Sequence, residues 1–178
     1  MLTFGSLFAG IGGFDLGFER AGMQCKWQVE IDPYCQRVLA KHWPDVRRHD
    51  DVRTFPPGDA EEWRVDVICG GFPCQDISKA RNGQCSRKGL DGERSGLWWD
   101  MYRIVSVLRP RFVVVENSTE IVDGWLGRIC GAMVELGYDS EWKIHSASDA
   151  GAPHLRERCF IISYPRSFGN GLKAETIC

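Results

Sequence analysis

Short apolar runs alternate along this chain with amphipathic helical stripes, and most of the runs end in a glycine or an acid. This alternation limits the fold more than any other feature. Residues 3–8 are apolar and stop at glycines. Phe14, Phe18 and Ala21 then share a helical face that Gly22 can close. Cys25, Trp27, Val29 and Ile31 alternate with polar residues, as in a strand. Asp32 before Pro33 reads as an N-cap and a first helical position, opening a helix that runs to Trp43. A third strand leads to Asp51, and residues 65–69 form a buried strand. Ser95 reads as an N-cap for a stripe of Leu97, Met101, Ile104, Val105 and Leu108, with Pro110 beyond its end. Residues 112–115 form a very apolar strand. Ile121, Trp125, Ile129, Met133 and Leu136 make another stripe, closed by Gly137. Strands near 142–146 and 158–163 complete the pattern. The expected fold is α/β: a mostly parallel sheet of seven strands with helices on both faces. Ligands of such sheets sit beyond the carboxyl ends of the strands.

Composition narrows the classes. A length of 178 residues gives room for one domain with one core, and 43% hydrophobic with 26% charged residues excludes disorder. The net charge of -2 gives no electrostatic warrant for nucleic acid or an anionic membrane, and leaves a local basic patch open. No apolar run approaches the roughly 18 residues of a membrane span. The first residues lack the basic start and cleavage site of a signal peptide, so a cytoplasmic location is the expectation. Cysteines stand at 25, 35, 69, 74, 85, 130, 159 and 178. None are spaced CxxC or at zinc-finger intervals, so neither a metal site nor a disulfide scaffold is expected.

The strand ends carry the chemistry. The first ends in Phe8-Ala9-Gly10-Ile11-Gly12-Gly13 and leads into a helix, as a tight turn close to a ligand requires. The dinucleotide pattern fails because Asp15 occupies the place of the third glycine, which disfavours a pyrophosphate. Glu30, at the second strand end, is suited to both hydroxyls of a ribose, and Asp51, at the third, to an adenine amino group. A nucleoside pocket with no demand for phosphate fits S-adenosylmethionine; a plain glycine turn with surface acids is the bland alternative. The fourth strand delivers Phe72-Pro73-Cys74-Gln75, where proline fixes the backbone and holds a thiol at the pocket rim. Residues 75–94 then carry Lys79, Arg81, Arg87, Lys88 and Arg94 against Asp76, Asp91 and Glu93. A basic, glycine-rich connection of that length suits closure over a phosphate backbone. The fifth strand end presents Glu116, an acid whose pKa burial can raise. Arg156 and Arg158 lie two apart in the last block, on one face if extended, and can grip a carbonyl oxygen or a phosphate.

These blocks, in order, resemble the cytosine-C5 DNA methyltransferase family. The resemblance runs from Thr3 to Ser163 through FAGIGGFDLGFERAG at 8–22, VEID at 29–32, DDV at 50–52, GGFPCQDIS at 70–78, GLWWDMYRIV at 96–105, ENS at 116–118 and HLRER at 154–158. It implies a Rossmann-like S-adenosylmethionine-dependent methyltransferase domain over 1–163, with a short tail at 164–178. It implies Cys74 as nucleophile on C6 of a flipped cytosine, Glu116 as acid at N3, and Arg158 with Arg156 at O2. S-adenosylmethionine would be held by Phe8, Gly10, Ile11, Gly12 and Gly13, by Glu30 and Ile31, by Asp51 and Val52, and by Pro73 and Leu97. Gln75, Ser78 and Asn117 would contact the substrate. Double-stranded DNA is the implied partner, and restriction-modification a setting that no single residue shows.

Three departures qualify the resemblance. Ser118 replaces a residue that is usually aliphatic, and His154 stands where glutamine is common. Only 15 residues follow Ser163, where the family has a target recognition domain and two further motifs; Phe168-Gly169-Asn170-Gly171 echoes the last of these faintly. The expectation is a truncated or split enzyme, with a second chain supplying recognition. The alternatives are an inactive cofactor-binding or partner-docking remnant, and an RNA cytosine-C5 methyltransferase, which the PCQDIS block disfavours.

Overall fold

A computed structural model describes residues 1–73 and 96–169. The expectations placed on Cys74, Gln75, Ser78, the basic stretch, the Ser95 cap and the Phe168–Gly171 echo involve residues outside these bounds.

Strands β1 (Thr3–Leu7), β2 (Gln24–Val29), β3 (Arg47–His49), β4 (Val67–Gly70), β5 (Phe112–Asn117), β6 (Tyr138–Ser146) and β7 (Glu157–Pro165) form one sheet in the order β3-β2-β1-β4-β5-β7-β6. The pairs among β1 to β5 are parallel, and β7 runs antiparallel between β5 and β6. The order reverses between β1 and β4, so their carboxyl ends diverge into the crevice where such sheets bind ligands.

Alternation along the strands builds a core on each face. Leu7, Trp27, Ile68, Val113 and Val115 point to one side, where α3 (Leu97–Leu108) and α4 (Leu126–Glu135) bury Trp98, Met101, Ile104, Ile129 and Met133. Phe4, Cys25, Val67 and Cys69 point to the other side, where α1 (Gly13–Arg20) contributes Phe14 and Phe18. The helix α2 (Pro33–His42) begins as its sequence signals: the Asp32 carboxylate accepts from the amides of Tyr34 and Cys35 at 2.7 and 3.0 Å, and Pro33 follows the cap. The described residues close on a single turn, α5 (Arg166–Gly169).

Two elements differ from their periodicity. The stripe from Ile121 to Leu136 is a short 3-10 turn (Thr119–Asp123) and then α4, interrupted at Gly124 (φ 145°). β6 begins four residues earlier than alternation predicts, because pairing with β7 from Tyr138 to Ser146 extends an edge strand whose middle is exposed and need not alternate.

Candidate active site

Phe8, at the carboxyl end of β1, turns the chain with a left-handed φ of 53°, an arrangement that costs a non-glycine residue about 1 kcal/mol. The glycines behind it work indirectly. The Gly10 amide donates to Glu30 Oε2 at 2.7 Å, and the Asp32 amide donates to Glu30 Oε1 at 2.8 Å. Each carboxylate oxygen of Glu30 thus has one backbone donor and a free lone pair for a ligand hydroxyl. Gly12 has φ 90°, and the Trp43 ring lies 2.5 Å from where a Cβ would stand. This glycine seats α2 against the turn.

A cavity of about 600 Å³ opens at these strand ends. Phe8, Glu30, Ile31, Asp51, Val52, Pro73 and Leu97 line it, as do Val29, Asp50, Arg53 and Gly71, which sequence reasoning missed. Gly10, Ile11, Gly12 and Gly13 are not among its lining residues. Three carboxylates face one guanidinium there, so the wall repels phosphate and suits a neutral nucleoside joined to a cation. Asp51 is gripped by Arg53, whose Nε and Nη2 donate to the carboxylate at 2.7 to 3.0 Å. That bond, and the amide of Arg53 at 2.9 Å, hold its pKa below the ordinary carboxylate value.

Glu116 leaves β5 beside this cavity. Its Oε1 accepts from Arg158 Nε at 2.8 Å across the β5–β7 pair. Burial pushes its carboxyl above the usual range, and the charges of Arg158 and then Arg156 oppose that rise without cancelling it. A Cβ on Gly71 would stand 2.6 Å from Glu116 Oε2, so the absent side chain at 71 makes room for the acid. Asn117 is 3% exposed, and its amide bonds within the protein: Nδ2 donates to Phe72 O at 3.1 Å and Oδ1 accepts from the Ser118 amide at 2.9 Å. It ties the segment leading to Pro73 onto β5 and acts as a positioning residue.

Asp15, where a nucleotide-binding turn would have its glycine, is completely buried. It accepts from Gln28 Nε2 at 2.9 Å, Ser6 Oγ at 3.1 Å and Cys25 Sγ at 3.5 Å, pinning α1 to β1 and β2. Desolvation still leaves its pKa raised. Sequence alternation places Gln28 on the outward, polar side of its strand, so this convergence has no local signal. Among the described residues, no group of three or more His, Cys, Asp or Glu side chains is placed to hold a metal ion.

The sequence profile of the family described as C-5 cytosine-specific DNA methylase matches residues 2–176. The chain belongs to that family. Among its relatives, type II methyltransferase M1.HphI of Haemophilus parahaemolyticus is 36% identical over 171 residues, spanning 90% of this chain and 45% of the relative. Type II methyltransferase M.HhaI of the same organism is 32% identical over 171 residues, spanning 92% and 49%. The solved structure of methyltransferase EhMeth from Entamoeba histolytica superposes with a TM-score of 0.79 at 18% identity, over 100% of this chain and 57% of that one, a likeness of fold. The chain spans about half the length of the relatives it matches. In this family member, the seven-stranded sheet gathers residues of the 8–22, 29–32 and 50–52 stretches around one cavity at its strand ends.

Proposed function

We propose that this chain is the catalytic half of a DNA (cytosine-5)-methyltransferase that uses S-adenosylmethionine. The observation that carries the reading is the Glu116–Arg158 pair, seated against Gly71 beside an acidic cavity of nucleoside size. Glu30, with one free lone pair on each oxygen, would hold the ribose hydroxyls, and Asp51 the adenine amino group. Phe8, Ile31, Val52, Pro73 and Leu97 would supply apolar contact. Gly10 acts through Glu30, and Gly12 through Trp43.

C5 of cytosine is a poor nucleophile, and a thiolate on C6 changes that. In this reading Cys74, the residue after Pro73, forms a bond from Sγ to C6. The C5–C6 π pair shifts toward C5 and the N3 side of the ring. Glu116 gives its proton to N3 as that charge develops, a role its raised pKa suits. Arg158 holds the Glu116 carboxyl in place and, with Arg156, faces the base O2. S-adenosylmethionine, when bound, supplies an electrophilic methyl carbon for C5. Loss of the C5 proton then restores the double bond, and the Sγ–C6 bond breaks. The base must leave the duplex to reach such a site.

The partners in this reading are double-stranded DNA and further chain of the family fold, in the same polypeptide or as a second subunit. A partly uncovered surface of the sheet supports the latter. On the α1 side, Val114, Phe160 and Ile162 are only partly covered and floor a depression of about 420 Å³. Phe160 joins it to a second depression of about 520 Å³ along Gly13, Phe14, Gly17 and Phe18, which reaches Glu116. Covering that surface would also dry the environment of Glu116. Transfer of labelled methyl from S-adenosylmethionine to duplex DNA, by this chain with and without such a recognition half, tests the proposal. Methyl on C5 of cytosine supports it. Cofactor binding without transfer in any combination would favour a binding remnant.

A further inference from the structure

Arg103, in the middle of α3, belongs to none of the roles above. Its Nη1 donates to Phe55 O at 2.8 Å. Its Nη2 donates to Val52 O at 2.8 Å and Arg53 O at 3.2 Å, with Asp100 Oδ1 at 3.4 Å on its own helix. One guanidinium thus holds three carbonyls of the 52–55 segment, a task that needs its rigid fork of donors. Within the segment, the Thr54 amide donates to Asp51 O at 3.1 Å and the Phe55 amide to Val52 O at 3.3 Å, beside the Arg53–Asp51 pair.

The two ends of this clamp are parts of one cavity. Val52 and Arg53 line it, and Arg53 in turn grips Asp51. Leu97, at the start of the helix that carries Arg103, lines it as well. We propose that Arg103 is a positioning residue for cofactor binding: it fixes the wall that carries Asp51 and Val52 relative to α3, and so sets the width of the adenine end. The inference rests on the reading that this cavity takes S-adenosylmethionine.

Calorimetry on the parent, Arg103→Ala and Arg103→Lys tests it, with S-adenosylmethionine and with adenosine as separate ligands. Charge-assisted hydrogen bonds to the carbonyls are the interactions lost, so Arg103→Ala should bind both ligands about tenfold more weakly, by equal factors. Arg103→Lys, which keeps the charge without the fork, should recover part of that and remain about threefold weaker. The KM for cofactor should rise more than kcat falls. The side chain is 41% exposed, so truncation leaves little cavity. A merely structural role would lower Tm while leaving the adenosine Kd unchanged, and that result overturns the proposal. If the alanine variant does not fold, an unchanged Kd in Arg103→Lys overturns it alone. A parent that binds no S-adenosylmethionine removes the reading beneath it, an outcome distinct from equal binding by all three proteins.

Discussion

Gly71→Ala sets two opposite effects against each other. The backbone at 71 is not left-handed, so alanine there, if it fitted, would stabilise the protein by about 0.4–1 kcal/mol through the unfolded chain. The structure predicts that it does not fit. The new methyl would stand 2.6 Å from Glu116 Oε2, where ordinary contact begins at 3.4 Å. The Glu116 carboxyl, held by Arg158, must therefore move by about 0.8 Å. A shift of that size that takes Oε1 away from Arg158 stretches a 2.8 Å bond past hydrogen-bonding range. A charge-assisted bond of this kind is worth about 1.5–3 kcal/mol, and partial exposure of both partners reduces that to about 1–2 kcal/mol. At ~2–4 °C per kcal/mol, Tm falls by a few degrees. The same movement separates Glu116 from the charge that opposes its raised pKa, so its carboxyl should titrate higher still. Thermal melting and carbon-detected titration of the Glu116 carboxyl read both effects without requiring turnover. A raised Tm with an unchanged titration would refute the reasoning, because the methyl would then have found room elsewhere.

Two more outcomes follow from buried polar groups. Asp15 has its pKa raised by burial, so its contribution to stability is lost as pH rises from the ordinary carboxyl value through the raised one. Asp15→Asn should therefore gain stability relative to the parent as pH rises through that window, measured by denaturant unfolding; a difference that stays constant with pH contradicts this. Ser118 buries an Oγ that has no hydrogen-bond partner among the described residues. Ser118→Ala should then stabilise by about 1 kcal/mol, raising Tm by ~2–4 °C, and a fall in Tm would show that the hydroxyl is bonded.

Much of this was legible because strand ends in a parallel sheet are marked by breaks in hydrophobicity. Glu30 stands out as an acid at the end of an alternating apolar strand, whereas Asp51 follows the charged third strand and was legible only by its place at that strand's end; both line the cavity. The glycine turn was legible as a turn, and its division of labour was not. Gly10 orients Glu30 and Gly12 admits Trp43, contacts that join residues 20 and 31 positions apart. Asp15 read as a failed glycine, because nothing local shows that Ser6, Cys25 and Gln28 converge on it. Gly71 and Arg103 were invisible for the same reason: one matters through a side chain 45 positions away, the other through carbonyls about 50 positions away. Asn117 read as a substrate contact by its place beside Glu116, and its bond to Phe72, 45 positions away, had no sequence signal. The uncovered surface around Phe160 had no sequence signal, since its strand is as apolar as its buried neighbours.

The claim at the centre is covalent catalysis by Cys74 with Glu116 as its acid. Fluorine at C5 cannot leave as a proton does, so a methylated 5-fluorocytosine stays bonded to the attacking sulfur. The deciding measurement incubates this chain, joined by a recognition half, with 5-fluorocytosine duplex DNA and S-adenosylmethionine. The products are then denatured and mapped by mass. The account predicts an adduct that survives denaturation, maps to Cys74, disappears in Cys74→Ser, and forms far more slowly in Glu116→Gln. Methylated DNA without an adduct, or an adduct that persists in Cys74→Ser, would contradict it.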